Sequence, residues 1–227
     1  MRLIDLSQEI YQGMPVFPMH QKTMIFQNMT HDECREMYNS SLGFSTRNLL
    51  INEHGPTHCD ALYEVDPNEA TIEKMDLSLF WGSAICLDVS QVPASGYIEV
   101  KDLENAVLKS GLAIKKGDIV LLYTGNFNRA YGKPDYTDNY SGLSTEAATW
   151  LCAKGVVNIG VDSPSIDYVG DDNFSAHRVC LKYKITNTEN LCNLEKVAGK
   201  RFLYMGLPLR IRGGTGSPIR AVAFVED

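Results

Sequence analysis

Two histidines and an aspartate stand close together in the first third of the chain. His54, His58 and Asp60 lie within seven consecutive positions of a chain that has five histidines in 227 residues. Imidazole nitrogens and carboxylate oxygens are the groups that hold catalytic divalent ions in proteins. Paired histidines also occur in cores and on surfaces, but H-x₃-H-x-D after a strand favours a metal site.

A regular strand cannot bring these three side chains to one ion. They are separated by even numbers of residues, so a strand would aim them at one face, but four residues span about 13 Å at roughly 3.3 Å each. Nitrogen ligands lie about 2.1 Å from a zinc ion. The strand that ends near Asn52 must therefore break, and Gly55-Pro56 is the turn sequence that breaks it.

Further ligands are expected from elsewhere, because three ligands leave the coordination sphere open. His20, His31 and His177 are the remaining imidazoles. His177 is the best candidate because it heads a predicted helix, and Glu189 follows twelve residues later where a loop could return. On spacing alone, a helix-surface histidine and a solvated glutamate explain this pair equally well.

Apolar and β-branched stretches predict eight strands, and amphipathic stretches predict three helices. The strands are expected over 2–6, 22–27, 44–52, 83–89, 118–123, 156–161, 202–206 and 219–225, and the helices over 101–110, 144–154 and 174–183. Ser144 is the expected N-cap of the clearest helix, and Gly155 its stop. Strand, helix and strand over 118–161 form a βαβ-like unit that ends at Asp162, where α/β folds bind ligands. The predicted class is mixed α/β.

Composition limits the kinds of partner. The chain is 44% hydrophobic and 22% charged, which is typical of globular proteins. It has no apolar run of the ~20 residues that a membrane span needs. The net charge of -7 argues against nucleic acid, so a small molecule is the expected partner. The N-terminus lacks the apolar core of a signal peptide, which predicts a cytoplasmic protein. No repeat or linker divides the chain, so one domain over residues 1–227 is expected.

Other reactive side chains carry weaker signals. The six cysteines form no C-x-x-C pair, so neither a structural zinc nor a disulfide framework is predicted. Cys59, inside the histidine motif, is expected to fill the core rather than act as a nucleophile. The acidic group Asp167, Asp171 and Asp172 is expected to be a solvated turn, although it could bind a cation.

Residues 54–61 resemble the H-x-G-T-H-x-D-A motif of the cyclase-type metal-dependent hydrolases, a family that includes bacterial kynurenine formamidases and isatin hydrolases. The resemblance runs nearly end to end. It also covers 4–7, 13–15, 118–125, 142–155, 160–167, His177, 189–191, 207–209, 213–214 and 216–221.

This resemblance implies a swivelling β/β/α fold with a mixed central sheet or barrel-like core, usually in a homo-oligomer. It also implies one or two divalent ions that hydrolyse an amide or related acyl bond. His54, His58 and Asp60 would be ligands, with Asp60 as the candidate bridge between two ions, and His177 and Glu189 would complete the site. The carboxylates of Asp60, Glu64 and Glu189 favour two ions by charge and shift the preference from zinc toward manganese.

Three positions depart from the family pattern. Pro56 replaces a glycine, Leu62 replaces the usual proline, and Glu64 stands where the formamidases carry a histidine. That histidine is a candidate proton shuttle, whereas a carboxylate near cations is a weaker base or simply another ligand. We therefore expect an arylformamidase-like hydrolase of an amide, cyclic amide or related acyl bond that uses metal-activated water. Glu64 or an unligated His177 would carry protons, and activity on the formamidase substrate is in doubt.

Two other functions use the same residue types. A 2-His-1-carboxylate iron oxygenase has similar ligands, but Glu189 as an added anionic ligand and the hydrolase resemblance argue against it. A metal-dependent binding protein that has lost catalysis is supported by the replacement at Glu64.

Aromatic residues near predicted loops could form an apolar wall for the substrate. Phe17, Phe127 and Tyr140 are the candidates for substrate binding. Each of them taken alone is better explained by core or surface packing.

Overall fold

Thirteen strands and six α-helices form over residues 1–226, which the computed structural model describes. The strands are β1 (Arg2–Asp5), β2 (Met24–Met29), β3 (Thr46–Leu50), β4 (His58–Asp60), β5 (Trp81–Asp88), β6 (Tyr97–Ile98), β7 (Ile119–Tyr123), β8 (Gly142–Leu143), β9 (Asn158–Val161), β10 (Thr186–Glu189), β11 (Arg201–Met205), β12 (Gly216–Pro218) and β13 (Val222–Val225). The helices are α1 (His31–Tyr38), α2 (Leu62–Val65), α3 (Val100–Ser110), α4 (Asn126–Ala130), α5 (Thr145–Ala153) and α6 (Ser175–Tyr183). Within this range no helix has both the length and the apolar character needed to cross a membrane.

Nine of the strands form one mixed sheet in the order β1-β13-β11-β5-β7-β9-β10-β4-β12. β5, β7, β9 and β10 are parallel neighbours. The strands on either side of this parallel block pair antiparallel. Two further two-stranded sheets pair β2 with β3 and β6 with β8. This is the mixed α/β fold with a mixed central sheet that the family resemblance implied.

The sheet is buried on both faces. Successive residues of a strand point to opposite faces, so Val120 joins one hydrophobic cluster and Leu121 the other. Leu103 of α3 and Leu151 of α5 pack in the cluster of Val120, which places the long helices on that face. β5 and β7 at the centre of the sheet are covered on both faces and are nearly continuous apolar runs, which are visible in the sequence.

The predicted elements are confirmed. All eight strands and three helices are present, with their ends moved by at most three residues. The βαβ-like unit is confirmed because β7 and β9 pair in parallel on either side of α5. Ser144 caps α5 by accepting a hydrogen bond from the backbone of Ala147, and Gly155 follows the helix with a φ of 82°.

Several short elements were not predicted. β4, β10 and β12 hold buried polar residues, so they lack the alternation of apolar and polar residues that identifies a strand. α2 and α4 span 4 and 5 residues, which is too short for a helical period. α1 begins with a capping box between Thr30 and Glu33, but Cys34 is its one buried residue, so its apolar face is weak.

The β2–β3 hairpin stands apart from the large sheet and exposes apolar side chains on both of its faces. Met24 and Phe26 lie on one face with 44% and 53% exposure, and Leu49 on the other face is 53% exposed. Two-stranded hairpins are marginally stable when nothing covers them. This hairpin therefore leaves apolar side chains uncovered on both of its faces.

Substitution of Leu121 can test how closely the core is packed against the sheet. It is completely buried, and its side chain fills the space left by the missing Cβ of Gly160 on β9. Leu121→Ala is expected to lower the free energy of unfolding by about 2–5 kcal/mol, because a cavity forms in a closely packed core. Urea denaturation measures this change. Leu108→Ala, at a position with 81% exposure, should change it by less than about 0.5 kcal/mol, and equal effects of both variants would contradict this packing.

Candidate metal centre

The chain turns between His54 and His58, as the spacing of the histidine motif required. The side chain of Asn52 accepts a hydrogen bond from the backbone N–H of His54 at 2.8 Å. The backbone carbonyl of Asn52 accepts one from the N–H of Gly55 at 3.2 Å. The Gly55–Pro56 peptide is cis, and β4 begins at His58. The two imidazole centroids consequently lie 5.2 Å apart, whereas four residues of a regular strand would span about 13 Å.

The side chains of β4 alternate between the two faces of the sheet. His58 and Asp60 share one side, and Cys59 points to the other, where it joins a hydrophobic cluster. Burial and the charge of Asp60 raise the pKa of the Cys59 thiol well above its usual value. The expectation that Cys59 is a core residue is confirmed, and all six cysteines of the chain are free and buried.

The second segment reaches the first through α6 and β10. His177 lies in the first turn of α6, and Glu189 is the last residue of β10 rather than part of a returning loop. β10 pairs antiparallel with β4, and this register sets Glu189 opposite His58. Both side chains are more than nine-tenths buried.

Asp60 belongs to two sets of potential ligands. The first set is His54, His58 and Asp60, and the second is Asp60, His177 and Glu189; within each set the ligand atoms lie within 4.8 Å of one another. Asp60 Oδ1 lies 2.8 Å from His54 Nδ1 and 3.3 Å from His58 Nε2. Asp60 Oδ2 lies 3.3 Å from His177 Nε2. The two oxygens of one carboxylate therefore face different sets.

Each imidazole is held by a partner on the side away from the cluster. The carbonyl of Pro56 lies 2.8 Å from His58 Nδ1, and the hydroxyl of Thr215 lies 2.8 Å from His54 Nε2. His177 Nδ1 makes a short hydrogen bond with the buried carboxylate of Asp167. Such outer partners orient metal-binding imidazoles in proteins. With the remaining nitrogens directed at shared carboxylates, the donor set fits a divalent ion.

The electrostatics of the cluster are dominated by the carboxylates. Burial disfavours the charged forms of His58 and His177, but Asp60 and Glu189, with Asp167 at His177, outweigh burial and raise both pKa values well above the usual value. Burial likewise opposes the charge on Asp60, but the three imidazoles lower its pKa well below the usual value. The cluster thus binds protons where it could bind a cation.

Glu64 stands at the edge of the cluster. It lies on α2 with Oε1 3.4 Å from His54 Nδ1, and 31% of its side chain is exposed. Burial and then the charge of Asp60 raise its pKa to about 8, and the nearby imidazoles offset this only in part. A carboxyl group with a pKa near neutrality exchanges protons more effectively than an ordinary one.

A cavity of about 550 Å³ opens beside the cluster. Phe17, one of the three candidates for substrate binding, lies in its wall. Phe127 instead packs against Tyr131, with 4.6 Å between ring centroids, and Tyr140 is buried beside a different cavity. Neither of these two lies among the residues described as lining the large cavity, which are Phe17, Met19, His20, His54, His58, Glu64, Val65, Asp66, Pro164, Ser165, Phe174, His177, Arg178, Leu181 and Glu189.

Two polar residues that contact the cluster were not predicted from the sequence. Asp167 was expected in a solvated turn, but it is 3% exposed and holds His177, so that expectation was wrong for this residue. Asn187 places its amide among the atoms of the second set. Its position two residues before Glu189 was the available signal, because such residues share a face of a strand.

Comparison with known proteins adds independent information. The Cyclase family model matches residues 4–168, a range that ends before His177 and Glu189. The kynurenine formamidase of Bacillus cereus (strain ZK / E33L) is 32% identical over 174 residues, which are 77% of this chain and 77% of that protein. The kynurenine formamidase of Erythrobacter litoralis (strain HTCC2594) is 27% identical over 221 residues, covering 97% of this chain and 93% of that protein. An isatin hydrolase crystal structure, bound to the product analogue thioisatinate, has a TM-score of 0.86 at 21% identity and covers 99% of this chain and 92% of that chain. That likeness shows a shared fold.

Metal affinity should rise with pH. Because the pKa of His58 is raised, its proton stabilises the metal-free cluster fully below about pH 6.5, and this stabilisation is lost as pH rises through the pKa of His58 in the folded protein. A cation bound to His58 must displace that proton. Calorimetric titration with Mn²⁺ from pH 6 to 8, in two buffers of different ionisation enthalpy, should show tighter binding at higher pH and proton release. His31→Gln, on the exposed start of α1, should release as many protons as the unmodified protein; pH-independent affinity would contradict the assignment.

Proposed function

The chain belongs to the Cyclase family and is a metal-dependent hydrolase of the arylformamidase type, and we propose that its active site is the cluster around Asp60. The other members of this cluster are His54, His58, His177 and Glu189. The observation that carries the proposal is that one buried carboxylate is shared by two sets of ligand atoms beside a large cavity. Membership of this hydrolase family argues against an iron oxygenase, the alternative function that the residue types alone would allow.

Zinc or manganese is the ion that we propose for this centre. The three imidazoles suit either metal, and the carboxylates of Asp60 and Glu189, with Glu64 nearby, favour manganese as the harder ion. When bound, such an ion lowers the pKa of a coordinated water to about 7 and polarises the carbonyl of the substrate. The protein side chains then have to orient the substrate and move protons.

Glu64 and His177 are the side chains proposed to move those protons. Glu64 lines the cavity with Oε1 3.4 Å from His54 Nδ1, so its carboxyl group lies between the cluster and the space for a substrate. His177 directs Nε2 toward the cluster while Asp167 holds Nδ1, so the ring cannot turn away. A proton taken up during attack on the acyl carbon can be returned to the leaving group from either side chain.

The cavity favours a small aromatic amide that carries an anionic group. Phe17, Phe174 and Leu181 supply apolar surface, and Arg178 is the single lysine or arginine among the described residues of the lining. The relatives are named for kynurenine formamidase and isatin hydrolase activities, which together suggest N-formyl aryl amines and cyclic aryl amides as the classes to test. Because Glu64 stands where the formamidases carry a histidine, cyclic aryl amides are better supported as substrates than N-formyl aryl amines.

A binding protein without catalysis is the second candidate, and Glu64 is the feature that favours it. Loss of the formamidase histidine would leave the metal site intact and remove one proton carrier. Saturable binding of a substrate without product would identify this case.

The setting of the enzyme is also part of the proposal. We place it in the cytoplasm, which six free cysteines support because reducing compartments keep thiols unpaired. One hydrolase domain over residues 1–227 is supported by the single large sheet with a hydrophobic cluster on each face. The net charge of -7 supports a small molecule rather than nucleic acid as the partner.

Glu64→Gln tests the proton-carrying role. The variant should lower kcat by about 10²–10⁴-fold, because the amide cannot exchange a proton, while its metal content stays near that of the unmodified protein. Turnover of N-formyl amines, cyclic imides, lactams and aryl esters by Mn²⁺- and Zn²⁺-loaded protein measures the first quantity, and elemental analysis the second.

Glu69→Gln is the matched control, because Glu69 pairs with Lys184 outside the cavity lining, and its turnover should be unchanged. A large loss of metal in Glu64→Gln would make Glu64 a ligand. Protein purified without added metal that contains no transition metal would overturn the metal-dependent mechanism.

A homo-oligomer is proposed because the β2–β3 hairpin needs covering. Phe26 and Leu49 are exposed on opposite faces, so nothing within residues 1–226 of one chain covers either of them. A second copy of the chain would present the same exposed apolar side chains for mutual burial. The partner expected at this hairpin is therefore another subunit.

Replacing Phe26 and Leu49 together by serine should weaken this assembly. Sedimentation should give a multiple of 25.3 kDa for the unmodified protein and a larger share of single chains for the double variant, because apolar contact area is lost. The double variant Leu77→Ser and Leu108→Ser removes leucines that are 55% and 81% exposed elsewhere and should not change the mass. An unmodified protein that sediments as a single chain would refute the proposal.

A further inference from the structure

The side chain of Asn187 occupies the space between the ligand atoms of the second set. Its Nδ2 donates a short hydrogen bond to Asp60 Oδ2 and another to Glu189 Oε1 at 3.3 Å. The same nitrogen lies 3.3 Å from His177 Nε2. One amide nitrogen thus contacts all three atoms that would bind a second ion.

The strand holds this amide in place. Asn187 lies in the middle of β10, between β9 and β4 in the sheet, and pairs with Ile159 of β9. It is 3% exposed and shares a strand face with Glu189. A side chain this short on a fixed backbone cannot leave the space between its three partners without losing both carboxylate hydrogen bonds.

The amide and a second ion compete for the same lone pairs. An ion in the second set would lie about 2.1 Å from His177 Nε2 and at a similar distance from the two carboxylate oxygens. That position coincides with the space between those atoms, which Nδ2 fills. Both carboxylate oxygens accept hydrogen bonds, so the nitrogen is the end of the amide that must face them.

The first set is arranged differently. Asp60 presents its other oxygen, Oδ1, to His54 and His58. Glu189 also turns its second oxygen toward this set, with Oε2 3.4 Å from His58 Nε2. Two imidazoles and one oxygen of Asp60, all within 4.8 Å of one another, can therefore hold one ion while Asn187 keeps its hydrogen bonds to the other oxygens.

We propose that Asn187 limits the centre to one ion, bound by His54, His58 and Asp60, and leaves His177 without a metal. This inference rests on the proposed function, and it selects one ion over the two that the count of carboxylates favoured. Asn187 satisfies the oxygens that a second ion would otherwise bind. His177 then keeps Nε2 available for the reaction while Asp167 fixes the ring.

Metal stoichiometry tests the inference. Metal-free protein is equilibrated with Mn²⁺, dialysed and analysed for metal per chain, and the electron paramagnetic resonance spectrum separates isolated from exchange-coupled Mn²⁺. The unmodified protein should hold one ion with an isolated spectrum. Asn187→Ala and Asn187→Ser should hold two ions with a coupled spectrum, because the space and the lone pairs are freed.

Asn158→Ala is the matched control, since Asn158 is a buried asparagine on β9 whose side chain bonds Leu79 and Thr188 instead. It should keep one ion, and circular dichroism checks that each variant is folded. Two ions in the unmodified protein, or one ion in both Asn187 variants, would overturn the inference and leave the hydrolase mechanism standing. No ion in the unmodified protein would overturn the mechanism itself.

Discussion

A buried carboxylate is stable only when donors or cations surround it, and Asp60 is such a carboxylate. It is 3% exposed, and imidazoles from the turn, from β4 and from α6 approach it. Their charges and hydrogen bonds hold its pKa far below the usual value in spite of burial. Because an unpaired buried charge is strongly destabilising, this one group ties the histidine turn to a helix more than a hundred residues later.

The buried charge lies near one edge of the large sheet, on the strands that end the order at β12. β5 and β7 are apolar, whereas β10 and β4 bury polar side chains that satisfy one another. Thr186 donates to the carbonyl of Asp60 at 2.7 Å, and the hydroxyl of Thr188 donates to Asn158 at 3.1 Å. Every hydrogen bond of this kind lowers the cost of burying the polar strands. His58, Asp60 and Glu189 therefore lie on paired strands, where their spacing is better defined than on a loop.

Local patterns explain why much of the fold was predictable. Apolar runs identified the central strands, and caps at Ser144 and Gly155 delimited α5, because these signals depend on neighbours in sequence. The meeting of His177 with Glu189 depends instead on the parallel pairing of β10 with β9, which no local pattern records; the family resemblance supplied that pair. The same limit explains why Asp167 was expected in solvent and why Asn187 went unnoticed. Both are polar residues whose burial depends on partners distant in the chain.

The three imidazoles differ in their outer partners, and this difference suits different tasks. A neutral carbonyl holds His58 and a hydroxyl holds His54, so neither gains strong stabilisation of its charged form from that side. A buried carboxylate holds His177, which stabilises the imidazolium and fixes the ring. Ligation requires a neutral imidazole, whereas proton transfer requires one that can carry charge. The outer contacts thus divide the histidines into two suited to binding a cation and one suited to exchanging protons.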